Sequence, residues 1–412
     1  MRLLLGVFLA AWSATSCGSS DSSSYRNYLD PSVVIAGGAE AASPPVVFAW
    51  ATVPDGEPDA GNHVLGRLDG VSREFSRIGE LPQQARDHGT VVVVPDAGLC
   101  PGLSFVTVGT DEVHCYASDG SLLRSLSAPG VEAVQFVGDV DGDGACDLAF
   151  GVPGDFGETE VGVVEIVSSV SGQTIRTLKP RPGSPWFGRK LLALQGESGV
   201  AALAVLDAFP LTETWCSIYR LPDLELIASK GLGKDITLPQ WDALPDFDGD
   251  GIDEIVVASF SARSRGHAPC AIFSSRKLEM LRDLAPVGEW SFGCIFAVAG
   301  LPDLDGDGIG EVAVSGQPSS SGSIDTSIYS PGYRRRIRLL ANRCLAGYGA
   351  PKLGVTHVLA VVVPDVLGKA IVTGAAESTA VAIELLDTNS WAPVHTFDLE
   401  ALRCFWDPRS TR

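Results

Sequence analysis

Three nine-residue stretches carry carboxylates at positions 1, 3, 5 and 9 with glycines between them. They are Asp139-Val-Asp141-Gly-Asp143-Gly-Ala-Cys-Asp147, Asp246-Phe-Asp248-Gly-Asp250-Gly-Ile-Asp-Glu254 and Asp303-Leu-Asp305-Gly-Asp307-Gly-Ile-Gly-Glu311. Alternate carboxylates on a tight turn aim hard oxygen donors at one point. Glycines let the backbone bend round that point, and a backbone carbonyl completes the shell. This chemistry suits calcium, which takes roughly six to eight oxygens at flexible distances. The expected donors of the first loop are Asp139, Asp141, Asp143, the carbonyl of Ala145, and Asp147. Those of the second are Asp246, Asp248, Asp250, the carbonyl of Ile252, and Glu254. Those of the third are Asp303, Asp305, Asp307, the carbonyl of Ile309, and Glu311. About three calcium sites are therefore expected. Carboxylates crowded this closely repel one another without a cation, so binding should be linked to local folding.

The loops are not EF-hands. Position 12 holds Phe150, Val257 or Val314 in place of the bidentate Glu, and it falls inside a strand-like run. Dockerin modules fail on spacing, because the loops begin at 139, 246 and 303. The plain alternative is an acidic, solvated turn that holds no ion.

An element that opens at the end of each loop must position it. Leu148-Ala-Phe150, Ile255-Val-Val257 and Val312-Ala-Val314 follow at once and read as buried strands. The first gap between loops is nearly twice the second, which points to a degenerate copy. Gly196-Glu-Ser-Gly199, leading to Val200-Ala-Ala-Leu-Ala-Val205, fills that place. Two further degenerate copies are Pro95-Asp96-Ala-Gly98 before Phe105-Val-Thr-Val108, and Pro364-Asp365 before Ala370-Ile-Val372. A second marker is a hairpin with alternating apolar and polar residues round a polar turn. It occurs at 63–78, 112–126, 162–178, 215–228, 270–284, 327–339 and 381–397, at spacings of 49 to 56 residues. A period near fifty with four short strands is the pattern of a β-propeller blade. The expected fold is all-β, a seven-bladed β-propeller over residues 31–407. The alternative is six blades with residues 33–90 as an appended β-unit.

Composition fits that reading. The chain has 412 residues, 46 Gly and 26 Pro, with 45% hydrophobic residues, which suits a turn-rich globular protein. The formal net charge of −20 argues against nucleic-acid binding. Thirteen of the 50 acidic residues lie in the three loops. Residues 1–17 read as an export signal: Arg2, an apolar run, then Ala14-Thr-Ser-Cys17, which resembles a lipobox with Cys17 as the lipidated residue. An ordinary cleavable signal near Ser16 is the alternative. Residues 18–30 form a Ser-rich tether, and 408–412 a short tail. Eight cysteines remain beyond Cys17, and an exported chain can pair them or bury them as thiols.

Catalytic patterns are missing. The chain has no HExxH, no P-loop, no GxSxG and no dinucleotide fingerprint, and its six histidines are scattered. The basic cluster Tyr333-Arg-Arg-Arg-Ile-Arg338 reads as a solvated outer strand, with a partner-binding patch in an acidic protein as the alternative. The tryptophans read as packing between sheets, with a sugar-binding surface as the alternative.

Taken together, the loops and the period resemble FG-GAP repeat proteins, similar to the propeller of integrin α subunits. In that family a Phe-Gly pair, an Asp-rich loop and a strand recur. Phe292-Gly293 stands before the third loop, and Phe187-Gly188 stands in the copy that lacks one. The resemblance implies calcium on one face of the ring and a bacterial surface or periplasmic relative. The expected function is a non-enzymatic calcium-binding scaffold for protein–protein interaction or adhesion. The alternatives are a lectin-like glycan-binding propeller and an extracellular polysaccharide lyase or hydrolase. The expected partner is a protein or glycan, the expected state a monomer, and contact with a membrane is expected only through the lipid anchor. The expected location is the outer membrane or cell surface as a lipoprotein, or alternatively the periplasm or medium.

Overall fold

The computed structural model describes strands from Ser32 to Asp398 and side-chain surroundings within 106–339. Residues 1–31, 399–412 and parts of the connecting segments lie outside the described residues, as do the export segment, Cys17, the Ser-rich tether and the tail. Among the described residues no helix occurs, and so none is long and apolar enough to cross a membrane.

The strands pair into seven four-stranded antiparallel sheets, each a meander in chain order. The first sheet holds Ser32–Ala36, Val46–Thr52, His63–Leu68 and Phe75–Leu81. The second holds Val91–Val93, Phe105–Val108, Glu112–Tyr116 and Leu122–Ser127. The third holds Ala133–Gly138, Asp147–Val152, Val163–Val167 and Thr174–Leu178. The fourth holds Phe187–Gly196, Gly199–Asp207, Trp215–Arg220 and Glu225–Gly231. The fifth holds Gln240–Leu244, Glu254–Ala258, Cys270–Phe273 and Met280–Asp283. The sixth holds Phe292–Gly300, Val312–Pro318, Asp325–Ser330 and Arg335–Leu340. The seventh holds Cys344–Leu345, Val358–Pro364, Ala380–Asp387 and Pro393–Asp398. The first strand of each sheet touches the first strand of the next, from the first sheet to the seventh. Meander sheets stacked face to face along their first strands make a β-propeller architecture. Residues 32–81 hold a four-stranded sheet in the same meander order as the others.

Side-chain alternation explains why the sheets stack. Successive residues of a strand point to opposite faces. Leu148 and Phe150 pack towards the second sheet, while Ala149 packs towards the fourth. Ile255 and Val257 face the fourth sheet, while Val256 and Ala258 face the sixth. Val312 and Val314 face the fifth sheet, and Ala313 faces away from it. The second strand of each of these sheets is therefore apolar on both sides, and a single sheet cannot cover it. Each fully buried Val, Leu or Ile contributes roughly 1.5–3 kcal/mol. The core is a series of layers between sheets, with no single centre.

Every sheet also has a register shift in the pairing of its third and fourth strands. The shifts fall at Leu65/Gly66, Cys115/Tyr116, Ile166/Val167, Ile218/Tyr219, Ile272/Phe273, Ile328/Tyr329 and Leu385/Leu386. A bulge re-aims the end of a strand and increases its twist. Its recurrence at one place is evidence of the repeat that does not depend on the acidic loops.

Neighbouring sheets approach closely at two glycine contacts. A Cβ on Gly151 would lie 1.8 Å from the carbonyl oxygen of Gly188, so the third and fourth sheets meet backbone to backbone there. Gly188 is the glycine of the Phe187-Gly188 pair, and its φ of +87° also excludes a side chain. This gives the pair a physical reason: the aromatic fills the layer and the glycine admits the next sheet. A Cβ on Gly300 would lie 2.0 Å from the carbonyl of Ala243, between the fifth and sixth sheets. Buried Asp242 fastens the same contact, because Gly300 N–H donates to its Oδ2 at 3.0 Å.

Several expectations are refined. The hairpins expected at seven positions are the third and fourth strands of the seven sheets. Pro364 does not sit between a first and a second strand, and Asp365 lies outside the described residues. Pro364 ends the second strand Val358–Pro364, whose apolar run pairs directly with Ala380–Asp387, and Ala370-Ile-Val372 lies outside the described residues. The cysteines divide between the two readings. Cys146 is disulfide-bonded, whereas Cys115, Cys216 and Cys270 are buried free thiols. Burial pushes all three thiols up, which keeps them protonated and inert. Trp241 is buried between the fourth and fifth sheets, and Trp186 is buried with the Arg189 guanidinium over its ring; Trp290, Trp391 and Trp406 lie outside the described residues. His114 is buried, with Nδ1 2.8 Å from Ser125 Oγ, a satisfied core histidine. Arg336 and Arg338 lie on the outermost strand of the sixth sheet, with Arg338 exposed.

Candidate metal centres

The three acidic loops occupy one position in the fold. Each joins the first and second strands of its sheet, in the third, fifth and sixth sheets. In the fourth sheet the same connection is the tight turn between Gly196 and Gly199. Meander topology puts all of these turns at the same end of their sheets.

The opening aspartate folds each loop. Gly142 and Asp143 N–H donate to Asp139 Oδ1 at 2.6 and 3.1 Å, and Gly144 N–H donates to Oδ2 at 2.9 Å. Gly249 and Asp250 N–H donate to Asp246 Oδ1 at 2.7 and 3.0 Å, and Gly251 N–H to Oδ2 at 2.9 Å. Gly306 and Gly308 N–H repeat the pattern on Asp303 at 2.7 and 2.8 Å. The fifth-position aspartate accepts the N–H two residues on. Ala145, Ile252 and Ile309 each donate at 2.9 Å, to Asp143, Asp250 and Asp307. These turns need a left-handed backbone at positions 4 and 6. Gly142 and Gly144 have φ of 80° and 87°, and the matching glycines of the other loops agree within a few degrees.

The ninth position differs from the rest of the loop, because it is buried where the next strand starts: Asp147 and Glu254 are the first residues of that strand, and Glu311 directly precedes it. Asp147, Glu254 and Glu311 are each fully buried. One oxygen of each is held by the N–H of loop position 2. Val140 donates to Asp147 Oδ2 at 2.8 Å, Leu304 to Glu311 Oε2 at 2.5 Å, and Phe247 to Glu254 Oε2. The other oxygen of each, Asp147 Oδ1, Glu254 Oε1 and Glu311 Oε1, is buried without a hydrogen-bond partner. A buried carboxylate oxygen left so is costly, and here the cost recurs three times in one arrangement.

Around that oxygen the other carboxylates converge. Asp246, Asp248, Asp250 and Glu254 each bring an oxygen within 4.8 Å of the others, and Asp303, Asp305, Asp307 and Glu311 do the same. In the first loop only Asp139, Asp141 and Asp147 converge. Asp143, expected among its donors, stands exposed and outside that group. The expected carbonyl donors of Ala145, Ile252 and Ile309 lie in the same turns. The residues fit a hard cation: oxygen donors alone, converging on one point, each set including a buried oxygen with no other partner.

The electrostatics agree with the crowding. Burial pushes the carboxyl of Asp147 up to about 6, partly offset by the N–H of Val140 and reinforced by the charge of Asp141. Burial likewise pushes Glu254 and Glu311 up to about 8, with the neighbouring loop aspartates adding to the rise. Asp303, exposed and held by N–H donors, Gly308 foremost, lies below its ordinary value. The raised groups set a pH dependence. Without a cation the folded carboxyls keep their protons up to about 6 and about 8, whereas the unfolded ones ionise near 3.8 and 4.5. The folded state then binds more protons across that window, so its stability falls as pH rises through it. Thermal melts in a chelator are expected to show Tm falling from pH 5 to pH 9. A rising Tm over that range would contradict the assignment.

The second loop also ties two sheets together. Asp253 N–H donates to the carbonyl of Gln195 at 2.9 Å, and Gln195 N–H donates to Asp253 Oδ2 at 3.1 Å. Ile252 bridges Gly196 in the fourth sheet. Sequence reasoning counted Asp253 only as loop charge, and its spacing carries no signal of a partner 58 residues away.

No family model matches the chain, and no curated protein matches it. Solved structures are similar in fold. The BBS1N chain of a complex with ARL6DN has a TM-score of 0.51 at 9% identity, covering 82% of this chain and 90% of that one. Sqt1 of Saccharomyces cerevisiae has 0.49 at 10% identity, over 90% and 86% of the two chains. The β-propeller domain of Cps50 (Swd1) from Myceliophteria thermophila has 0.49 at 13% identity, over 80% and 93%. At such identities the likeness concerns the fold alone.

Proposed function

We propose that the chain is a calcium-binding, seven-bladed β-propeller of the FG-GAP type, serving as a non-catalytic scaffold for protein–protein interaction or adhesion. One observation carries the metal reading. Three loops at the same place in three sheets each hold a fully buried carboxylate with one oxygen pinned by backbone and the other unpartnered. Bound calcium supplies the positive charge that lets the crowded carboxylates ionise together. The chain's own contribution is the frame: glycines shape the turn, Asp139, Asp246 and Asp303 fold it, and Asp147, Glu254 and Glu311 anchor it to the following strand.

The scaffold reading rests on the architecture and on what fills it. The layers between sheets are packed by aliphatic side chains, and Trp186 and Trp241 are spent on packing rather than on an open sugar platform. The apolar segment ending at Cys17 supports export, with lipidation at that cysteine or cleavage before it. Titration calorimetry of the chelator-treated chain is expected to give about three calcium ions per chain. A Glu311→Gln variant is expected to lose one. Absence of calcium-dependent heat would end the metal reading.

A further inference from the structure

The three loops differ in what faces the fifth-position aspartate. In the fifth sheet it is a cation of the chain itself. Arg276 lies in the turn between the third and fourth strands, and its Nε is 2.7 Å from Asp250 Oδ2. Its Nη2 donates to the backbone carbonyl of Asp250 at 2.8 Å. The remaining groups of Asp250 are engaged within the loop: its N–H with Asp246 Oδ1 and its Oδ1 with Ile252 N–H. The guanidinium therefore grips the aspartate by side chain and main chain together.

Among the described residues, the fifth-position aspartates of the other two loops, Asp143 and Asp307, have no such ion pair. In the sixth sheet the turn brings Gly332, which has no side chain, against Asp307, where a Cβ would lie 2.0 Å from Oδ2. In the third sheet the turn Ser168-Ser-Val-Ser-Gly-Gln173 contains no cationic residue, and Asp143 is the carboxylate that fails to join its group.

We infer that Arg276 is a built-in counter-ion of the second loop, holding it folded without metal and making it the weakest of the three calcium sites. The inference rests on reading the loops as calcium sites. A positive charge against one of four converging carboxylates lowers their mutual repulsion. The same charge opposes the entry of a divalent cation. Because the Arg276 side chain is about half exposed, solvent and salt weaken both effects. The first effect is felt without calcium and the second in its presence, so they can be measured apart. The consequence is an ordered response: the first and third loops fill at lower calcium, while the second stays shaped and keeps the fourth and fifth sheets joined through Asp253 and Gln195.

The test is hydrogen exchange read by mass spectrometry on the full chain, with peptides covering 139–147, 246–254 and 303–311, across a calcium titration. In the unaltered chain, 246–254 is expected to be the most protected of the three in chelator and to show the highest calcium midpoint. Arg276→Gln is expected to speed exchange of 246–254 in chelator. It should also lower the calcium midpoint of that loop on the order of tenfold, equivalent to about 1.4 kcal/mol, and leave the other two midpoints unmoved. Calcium responses at 139–147 and 303–311, with 246–254 unchanged by the substitution or shifted to higher calcium, would overturn the role of Arg276 alone. No calcium response in any loop would overturn the calcium reading, and the role of Arg276 with it.

Discussion

Under the proposed calcium reading, stripping the metal is expected to lower the melting temperature by on the order of 10 °C, the largest solvent-condition effect that reading implies. A ligand present at a hundredfold its dissociation constant stabilises by about 2.7 kcal/mol per site, and about three sites multiply that. A chain of this size converts such a loss into a shift of that order. The loss should be local before it is global. Asp147 and Glu254 begin the second strands of their sheets and Glu311 immediately precedes one, so each loop opens onto buried residues. Differential scanning calorimetry with calcium and with chelator measures it, and an unchanged Tm would remove calcium from the stability of the fold. The shift should be larger at pH 8 than at pH 5.5. At the lower pH the buried glutamates keep their protons without metal and the repulsion is already relieved.

The second large effect comes from a residue with no chemistry. Gly151→Ala is expected to unfold the third-to-fourth sheet contact and to cost more than about 3 kcal/mol. Its Cβ would fall 1.8 Å from the carbonyl oxygen of Gly188, and backbone on both sides leaves neither atom a rotamer to escape into. The informative control is Gly144→Ala. That glycine has a φ of 87° but nothing within 4 Å of a Cβ, so its substitution costs only the conformational term of about 1 kcal/mol. Urea denaturation of the two variants separates the cases. Equal midpoints would show that the sheets do not approach as described.

Much of the fold is legible because blade repeats are short-range. A strand, a polar turn and a strand are written within about fifteen residues, as at 162–178, and alternation says which residues are buried. All seven expected hairpins coincide with paired strands. The acidic loops are equally local, since the aspartate that folds each one lies within five residues of the N–H groups it accepts. The seventh sheet was misread at Pro364-Asp365 for the same reason: a degenerate loop keeps no ladder of aspartates to fix its place. Asp143 shows the other limit. Its spacing matches Asp250 and Asp307, but among the described residues it is those two that have a neighbouring turn against them, through Arg276 and Gly332.

What the sequence determined by itself is therefore the repeat, the strand faces, the three carboxylate loops and the glycines that shape them. Each depends on residues close together in the chain, where spacing fixes geometry. Only the tertiary structure decided how the sheets meet and how each loop is tuned. Gly151 against Gly188, Asp242 against Gly300, Asp253 against Gln195 and Arg276 against Asp250 join residues from 26 to 58 positions apart. Such pairs leave no periodic trace, because a contact between two sheets, or between two turns of one sheet, depends on the twist and spacing of the elements it joins and not on the pattern of either.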